Sequence, residues 1–240
     1  MTTFILVHGG SHTSSCWEPV IAPLESHGHR VRAIDLPGRF DTDTPVTLDD
    51  WVNRLGAEVD DALASDGEPP VLVGHSMGGV TISQLAERRP QDVAELVYVN
   101  AVVPNDGESA LESLGAAAGE SVVLEEGSLV PGDEKGQTLA FVPGIGRRAF
   151  YNMSSTEDAI AAEAQMVPEH VVPMASPVQL GSAFASVPKR WIASTEDRTV
   201  PMTLQKTYAA RVGAPLTTIH ADHSPFMSAT TEFVGLLEEA

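Results

Sequence analysis

The strongest constraint on the fold comes from residues 69–89, PPVLVGHSMGGVTISQLAERR. The apolar run from Val71 to Val73 predicts a strand, a Gly-x-Ser-x-Gly turn follows it, and the segment after the turn has the character of a helix. A serine at the tip of such a strand, turn and helix becomes an exposed nucleophile. Glycine suits positions 74 and 78, because a side chain at either one would collide with the neighbouring strand or helix. We therefore predict that Ser76 is a nucleophile at the carboxyl edge of a sheet.

The pattern around this stretch predicts the rest of the sheet. Residues 3–10, TFILVHGG, predict a short apolar strand that stops at glycines. Residues 29–39 predict a second strand closed by Pro37-Gly38, and residues 93–104 predict another one after the Ser76 helix. Helical spacing of apolar residues separates the strands, first from Trp17 to Leu24 and then after Thr47, which is a typical N-cap. The order β-α-β-α-β-α-β predicts a parallel sheet with helices on both faces.

The character of the chain changes from Pro104 to Ser186. This segment is rich in Gly, Ala, Ser and Pro, has weak periodicity and contains several short stretches with helical character. We interpret residues 104–186 as an inserted helical lid, and residues 1–103 and 187–240 as the α/β core. After the lid, KRWIASTED and PLTTIHADHS predict two more strands, and an amphipathic helix follows them.

A serine hydroxyl is a weak nucleophile at neutral pH, so Ser76 needs a base, and the base needs an acid that fixes its tautomer. In this setting the chain order is serine, acid, histidine. Asp197 follows a late strand, and His223 lies in the loop after the last strand, so we predict these two residues as acid and base. Glu196 stays open as an alternative acid, and we interpret His220 as a packed or surface histidine.

The turn after the first strand supplies a second element of the predicted site. Its glycines let the backbone come close to the position where Ser76 would attack. We predict that the backbone N–H groups of Gly10 and Met77 stabilise the oxyanion of a tetrahedral intermediate. The expected reaction is acyl transfer to Ser76, followed by hydrolysis of the acyl-enzyme by a water that His223 activates.

Composition excludes several classes of function. Thirty-three Asp and Glu residues against fourteen Lys and Arg give a formal charge of −19, which argues against binding to nucleic acid or anionic membranes. The single cysteine, Cys16, excludes an internal disulfide, and the apolar run from Phe4 to Val7 is too short for a signal peptide or a membrane span. We therefore expect a soluble cytoplasmic protein.

The sequence also contains a weak candidate for a metal site. His220, Asp222 and His223 superficially look like metal ligands, but no further histidine or cysteine cluster completes the set. The glycine-rich stretches lack the spacing of a dinucleotide fingerprint and the Lys-Ser or Lys-Thr of a phosphate loop. We therefore predict neither a metal nor a nucleotide cofactor.

With the motifs VHGGSH, DLPG, GHSMGG, STEDRTVP and ADHSPF, the chain resembles the α/β-hydrolase superfamily over nearly its whole length. The closer resemblance is to the compact methylesterase and hydroxynitrile lyase family, whose opening, T-E-D and A-D-H motifs match residues 8–12, 195–197 and 221–223. The resemblance implies Ser76, Asp197 and His223 as a catalytic triad, with the Gly10 and Met77 amides as oxyanion hole. It also implies a helical lid, no cofactor and often a homodimer.

The same family contains hydrolases and lyases that cleave cyanohydrins. In the lyases, a lysine follows the catalytic histidine and a threonine lies in the first turn, whereas the matching residues here are Ser224 and Gly9. These two residues favour hydrolysis over cyanohydrin cleavage. Because the lid residues are small and apolar, we predict that the substrate is a small, largely apolar carboxylic ester. The alternatives are a tailoring hydrolase, lactonase or cyclase acting on a secondary metabolite, a hydroxynitrile lyase, and a non-catalytic small-molecule receptor.

Overall fold

The computed structural model describes residues 1–239 of the chain, and its centre is a six-stranded parallel sheet. In chain order the strands are β1 (Thr3–Val7), β2 (Arg30–Ile34), β3 (Val71–His75), β4 (Glu95–Val99), β5 (Leu129–Pro131), β6 (Thr138–Phe141), β7 (Glu169–His170), β8 (Lys189–Ser194) and β9 (Leu216–Ile219). The central sheet has the order β2-β1-β3-β4-β8-β9, and all neighbouring strands in it run parallel.

Helices lie on both faces of this sheet and in the segment between β4 and β8. They are α1 (Glu18–Ser26), α2 (Leu48–Asp66), α3 (Gly78–Arg88), α4 (Ala110–Leu114), α5 (Ile145–Ala149), α6 (Thr156–Glu163), α7 (Val171–Ala175), α8 (Ser182–Ser186), α9 (Met202–Val212), α10 (Pro225–Ser228) and α11 (Thr230–Glu238). Helices α2, α3 and α9 contribute to one apolar cluster, and α1 and α11 contribute to the other. This arrangement confirms the predicted α/β fold with a parallel sheet between helices.

Strand β1 shows why the central strands are mostly buried and rich in apolar residues. Ile5 and Val7 point into the cluster on one face, whereas Phe4 and Leu6 point into the cluster on the other. Because successive side chains of a strand alternate between faces, a sheet covered on both sides needs an unbroken apolar run. Strand β3 is likewise buried at each of its positions. Because β3 lies between β1 and β4 in the middle of the sheet, the turn after it lies at the centre of the sheet edge.

The predicted N-cap of helix α2 is confirmed. Thr47 is the residue before the helix, and its hydroxyl accepts from the Asp50 N–H at 3.2 Å while the Asp50 carboxylate accepts from the Thr47 N–H at 2.8 Å. It ends at Gly67, which has φ of 76°. The predicted final helix is divided, because the backbone leaves helical geometry at Ala229 (φ −146°) between α10 and α11.

The segment between β4 and β8 contains short helices and a three-stranded antiparallel sheet, β5-β6-β7. The sequence pattern did not predict this sheet, because two of its strands have three residues or fewer and β5 is exposed throughout. The segment contacts the core loop after β1, since the Val167 N–H donates to the carbonyl oxygen of Ser11 at 3.0 Å. At its end, α8 packs against α3.

Within residues 1–239, none of the helices combines the length and the apolar character that crossing a bilayer requires.

We expect Gly78→Ala to destabilise the fold, because its Cβ would lie 2.5 Å from the carbonyl oxygen of Val7 and 2.9 Å from that of His8. Both contacts are backbone atoms, so α3 would have to move away from β1, at a cost of about 2 kcal/mol or more in free energy of unfolding. Urea denaturation followed by circular dichroism measures the change.

Gly235→Ala is the matched control, because it also replaces a helical glycine but its Cβ would meet no atom within 4 Å. We expect it to raise the free energy of unfolding by roughly 0.5 to 1 kcal/mol, since alanine is the better helix former. Equal stabilities for the two variants would contradict the tight packing of α3 on β1.

Candidate active site

Ser76 lies in the turn between β3 and α3 with a left-handed backbone, φ 50°. Its N–H donates to the carbonyl oxygen of Val99 at 3.0 Å, and its own carbonyl oxygen accepts from Gly79 and Val102, each at 3.0 Å. A left-handed conformation is costly for a residue with a side chain, so these three hydrogen bonds are what hold it in place. The turn therefore fixes the Ser76 hydroxyl at the carboxyl edge of β3.

The two glycines of the motif permit this sharp turn. A Cβ at Gly74 would lie 2.7 Å from Cδ1 of Ile82 and 2.9 Å from the backbone of Gly78, and Gly78 itself packs on the end of β1. Helix α3 is consequently buried at every position from Gly78 to Ala86. Close backbone packing of this kind leaves no room for a side chain at either glycine.

Asp197 and His223 form a buried pair. His223 Nδ1 donates to Asp197 Oδ2 at 2.8 Å, and both side chains are fully buried. The same carboxylate accepts from Gln205 Nε2 and, through Oδ1, from the N–H groups of Thr199 and Val200. Four donors hold the carboxylate, so it in turn fixes the imidazole tautomer that carries its proton on Nδ1.

The second ring nitrogen of His223, Nε2, has a free hydrogen-bonding position. This atom is buried and has no hydrogen-bond partner among residues 1–239. The ring packs against the ring of His75, the residue before Ser76, with centroids 4.6 Å apart. The described residues include no hydrogen bond between Ser76 and His223. Catalytic hydrogen bonds are often long in the absence of substrate, so the geometry is compatible with a base beside Ser76.

The backbone of His223 is anchored by two other side chains. The carbonyl oxygen of His223 accepts from His75 Nε2 at 2.8 Å and from Asn100 Nδ2 at 3.0 Å. Asn100 also exchanges two hydrogen bonds with Ser194 at the end of β8. The carboxyl ends of β3, β4 and β8 thereby fix the position of the histidine loop.

Asp222 stabilises the same loop from its other side. Its carboxylate accepts from the N–H groups of Met153 and Ser224 and from the Ser228 hydroxyl. Burial raises the pKa of Asp222 above its ordinary value. These three donors hold the Asp222 side chain within the loop structure, whereas His220 is largely exposed at the surface.

The two alternative residues lie at the surface. The side chains of Glu196 and His220 are 50% and 73% exposed, and their charged atoms are 4.0 Å apart. The structure thus brings Asp197 and His223 together in the interior and leaves their neighbours in solvent.

Two histidine side chains donate hydrogen bonds to carbonyl oxygens of the loop after β1. His12 Nδ1 donates to the carbonyl oxygen of Gly10 at 2.7 Å, and His12 Nε2 accepts from the Tyr151 hydroxyl at 2.7 Å. His8 Nδ1 donates in the same way to the carbonyl oxygen of Gly9 at 2.8 Å. Burial lowers the pKa of His12 to about 4, and burial together with the charge of Arg39 lowers the pKa of His8. Both rings are neutral at neutral pH and act as fixed hydrogen-bonding groups.

The N–H groups of Gly10 and Met77 lack a hydrogen-bond acceptor within residues 1–239, whereas those of Ser11 and Ser76 have one. The Ser76 and Gly79 N–H groups are used within the turn, and the Ser11 N–H donates to Glu169. Within residues 1–239, neither the Gly10 N–H nor the Met77 N–H donates to a protein acceptor, and both residues line the cavity that contains Ser76. These two donors are free to bind an oxygen atom in that cavity.

The cavity next to Ser76 has a volume of about 90 Å³. Most of its wall is apolar and comes from the segment between β4 and β8, with Leu114, Val123, Leu139, Phe141, Phe150 and Met174 among the lining residues. Three further leucines of the wall, at 111, 124 and 129, are 36 to 39% exposed and lie where the cavity approaches solvent. Glu169 is the one acidic or basic side chain of the lining.

Several site residues were not found by the sequence analysis. Arg39 and Glu169 form a buried ion pair across 130 residues of chain, and no local pattern signals such a pair. Asn100 lies in the predicted strand segment after the Ser76 helix, and its φ of 47° marks a special position that the sequence does not display.

Comparison with known proteins extends this description. The model of the Alpha/beta hydrolase family matches residues 4–236. The chain is 31% identical over 248 residues to Methylesterase 7 of Arabidopsis thaliana, with 98% of this chain and 95% of that protein covered. It is 29% identical over 249 residues to the putative methylesterase 11, chloroplastic, of the same plant, and it spans 63% of that protein's length.

A solved structure gives the same result. The crystal structure of polyneuridine aldehyde esterase matches with a TM-score of 0.84 at 25% identity, and the match covers 99% of this chain and 98% of the other. The matches in sequence and in fold extend over the turn at Ser76 and over the loops that hold Asp197 and His223. The chain therefore belongs to the alpha/beta hydrolase family, in its methylesterase-like group.

Proposed function

We propose that this chain is a carboxylic ester hydrolase in which Ser76 is the nucleophile, His223 the general base and Asp197 the acid that orients it. The observation that carries the proposal is the buried Nε2 of His223, which has no partner in residues 1–239 while Nδ1 is held by Asp197. A neutral imidazole in this tautomer accepts a proton at Nε2. We assign Ser76 as the hydroxyl that supplies that proton, because it follows His75, whose ring packs against that of His223.

The reaction would proceed through an acyl-enzyme. His223 takes the proton of Ser76 as the oxygen attacks the ester carbonyl, and the imidazolium then protonates the leaving alcohol. A water molecule attacks the acyl-enzyme in the second half of the reaction, with His223 again as base. Asp197 stabilises the imidazolium in both steps, because its carboxylate is the one acidic group among residues 1–239 that is bonded to the ring.

The free N–H groups of Gly10 and Met77 are proposed as the oxyanion hole. Each donor of this kind is worth about 3 kcal/mol of transition-state stabilisation in serine hydrolases. The donors belong to the backbone, so their effect depends on how firmly the loop after β1 and the turn at Ser76 are held.

The substrate that fits this site is a small, largely apolar ester. The lining of the cavity supports this, because it is mostly aliphatic and aromatic and its one charged residue, Glu169, is paired with Arg39. The names of the related Methylesterase 7 and polyneuridine aldehyde esterase agree with ester hydrolysis. We assign residues 104–186 as the lid that selects the substrate, and residues 1–103 and 187–240 as the catalytic core.

Replacement of each triad residue tests the chemistry. We expect Ser76→Ala, Asp197→Ala and His223→Ala each to lower kcat/KM for p-nitrophenyl acetate by about 1,000-fold or more. Ser76→Ala should also abolish labelling by a serine-directed phosphonate while the protein unfolds cooperatively. Glu196→Ala and His220→Ala are the matched controls, and we expect wild-type rates from both because these side chains lie in solvent. Loss of activity in the controls, with the triad variants active, would move the acid and base to the neighbouring residues.

The apolar cavity predicts discrimination against charge. Methyl hexanoate and monomethyl adipate have the same chain length and differ by one terminal carboxylate. We expect kcat/KM for the neutral ester to be about 100-fold higher, because placing an unpaired carboxylate in an apolar cavity costs several kcal/mol. The rates follow from methanol release, and a preference for the adipate ester would refute the assignment of this cavity as the acyl site.

Cyanohydrin cleavage separates the hydrolase from the lyase. Departing cyanide requires a cation near the base, but the residue after His223 is the neutral, buried Ser224. We expect no release of cyanide from mandelonitrile above the uncatalysed rate at matched pH. Robust release that disappears in Ser76→Ala, without ester hydrolysis, would replace the esterase assignment by a lyase.

A further inference from the structure

Glu169 of β7 joins three segments of the chain beneath the cavity. Its Oε2 accepts from the Ser11 N–H and from Arg39 Nη1, each at 2.8 Å. Its Oε1 accepts from Arg39 Nη2 and from the N–H of His170. Glu169 and Arg39 are each only 3% exposed, so this is a bidentate ion pair in the interior. It connects the segment between β4 and β8 to the loops after β1 and β2.

The hydrogen bond to Ser11 acts on the peptide group next to the proposed oxyanion donor. One peptide unit contains the Gly10 carbonyl and the Ser11 N–H, and both ends are held, by His12 and Glu169 respectively. The preceding unit contains the Gly10 N–H, and its carbonyl end, Gly9, is held by His8. With the planes on both sides of Gly10 fixed, the direction of the Gly10 N–H is fixed as well.

Ser11 needs this support because its backbone is in the left-handed region, with φ 59°. Its carbonyl oxygen accepts from the Val167 N–H at 3.0 Å, two residues before Glu169. The same short segment therefore holds Ser11 at its N–H and at its carbonyl oxygen. A strained non-glycine residue keeps such a conformation only when its surroundings enforce it.

Arg39 explains how a carboxylate can lie at this position. The carboxylate is next to Gly10, since a Cβ there would be 3.2 Å from Glu169 Oε2. An unpaired negative charge so close to the oxyanion hole would oppose the charge that develops in the transition state. Arg39 cancels that charge through the bidentate pair, and its guanidinium group is itself held over the ring of Trp51, 5.5 Å from the centroid.

We propose that Glu169 is a positioning residue for the oxyanion hole, and that Arg39 holds and neutralises it. This inference rests on the proposed esterase function, because it assigns a role to the Gly10 N–H in that reaction. Within residues 1–239, Glu169 makes no hydrogen bond to Ser76 or His223. Its effect is to aim the Gly10 donor by accepting the hydrogen bond from Ser11.

Two double variants separate the hydrogen bond that Glu169 accepts from the Ser11 N–H from the ion pair that Glu169 forms with Arg39. Arg39→Met/Glu169→Gln and Arg39→Met/Glu169→Leu both lack the ion pair, but only the first retains an oxygen atom that accepts from the Ser11 N–H. We expect kcat for p-nitrophenyl acetate to be at least about tenfold lower in the leucine variant than in the glutamine variant, part of the loss seen when a whole oxyanion donor is removed. KM should differ by less than about threefold, because the donor acts mainly in the transition state.

Inhibitor binding gives a readout that general damage to the structure would not produce. A boronic acid forms a tetrahedral adduct with Ser76 and places an oxygen atom in the oxyanion hole, whereas hexan-1-ol occupies only the apolar cavity. Between the two double variants, we expect the inhibition constant of phenylboronic acid to rise in parallel with the loss of kcat/KM. The inhibition constant of hexan-1-ol should be the same for both.

Equal kcat values and equal boronate affinities in two folded double variants would overturn the role of Glu169. If the leucine variant does not fold, Arg39→Met/Glu169→Met replaces it, because methionine is unbranched and has no oxygen atom that accepts from the Ser11 N–H. A kcat equal to that of the glutamine double variant would likewise refute the proposal. Failure of the esterase function itself is distinguishable, because wild-type protein would then show no hydrolysis that depends on Ser76.

Discussion

The left-handed turn at Ser76 is the constraint on which the rest of the structure depends. A residue with a side chain pays on the order of 1–3 kcal/mol for this conformation. The surroundings enforce it through three backbone hydrogen bonds and through glycines that let α3 pack directly on the ends of β1 and β3. That packing explains why α3 is buried along most of its length and why the first and third strands are buried at each position. The serine is thus held by a turn that packs directly on buried strands.

The histidines around this turn have different roles because only one of them is bonded to a carboxylate. His8, His12 and His75 are buried, and their pKa values are lowered chiefly by burial. They stay neutral and donate to carbonyl oxygens of the loop after β1 and of His223. Of these four rings, only His223 has its Nδ1 proton on a carboxylate, which distinguishes the proposed general base from the other three.

The sequence predicts what depends on local pattern and fails where distant segments meet. The order of strands and helices, the Thr47 cap and the family resemblance are local, and the structure and comparisons confirm them. The sequence analysis preferred Asp197 to Glu196 as the acid, and the structure buries the former and exposes the latter. The sheet β5-β6-β7 was missed because its short strands carry no alternating pattern. The pair of Arg39 and Glu169 was missed because only the tertiary fold brings these residues together.

The segment between β4 and β8 connects substrate choice to catalytic geometry. Its apolar residues form most of the cavity wall, and its strand β7 carries the carboxylate that holds the loop after β1. A wall residue such as Leu139 is in register with Glu169 across the pair β6 and β7, so a change in the wall is transmitted to the residue that contacts Ser11. Shape changes in a close-packed interior are not absorbed locally. If the proposed roles of Gly10 and Glu169 hold, substitutions of the cavity wall that alter which ester fits should also alter how well the backbone donor at Gly10 is aimed, so that specificity and turnover change together.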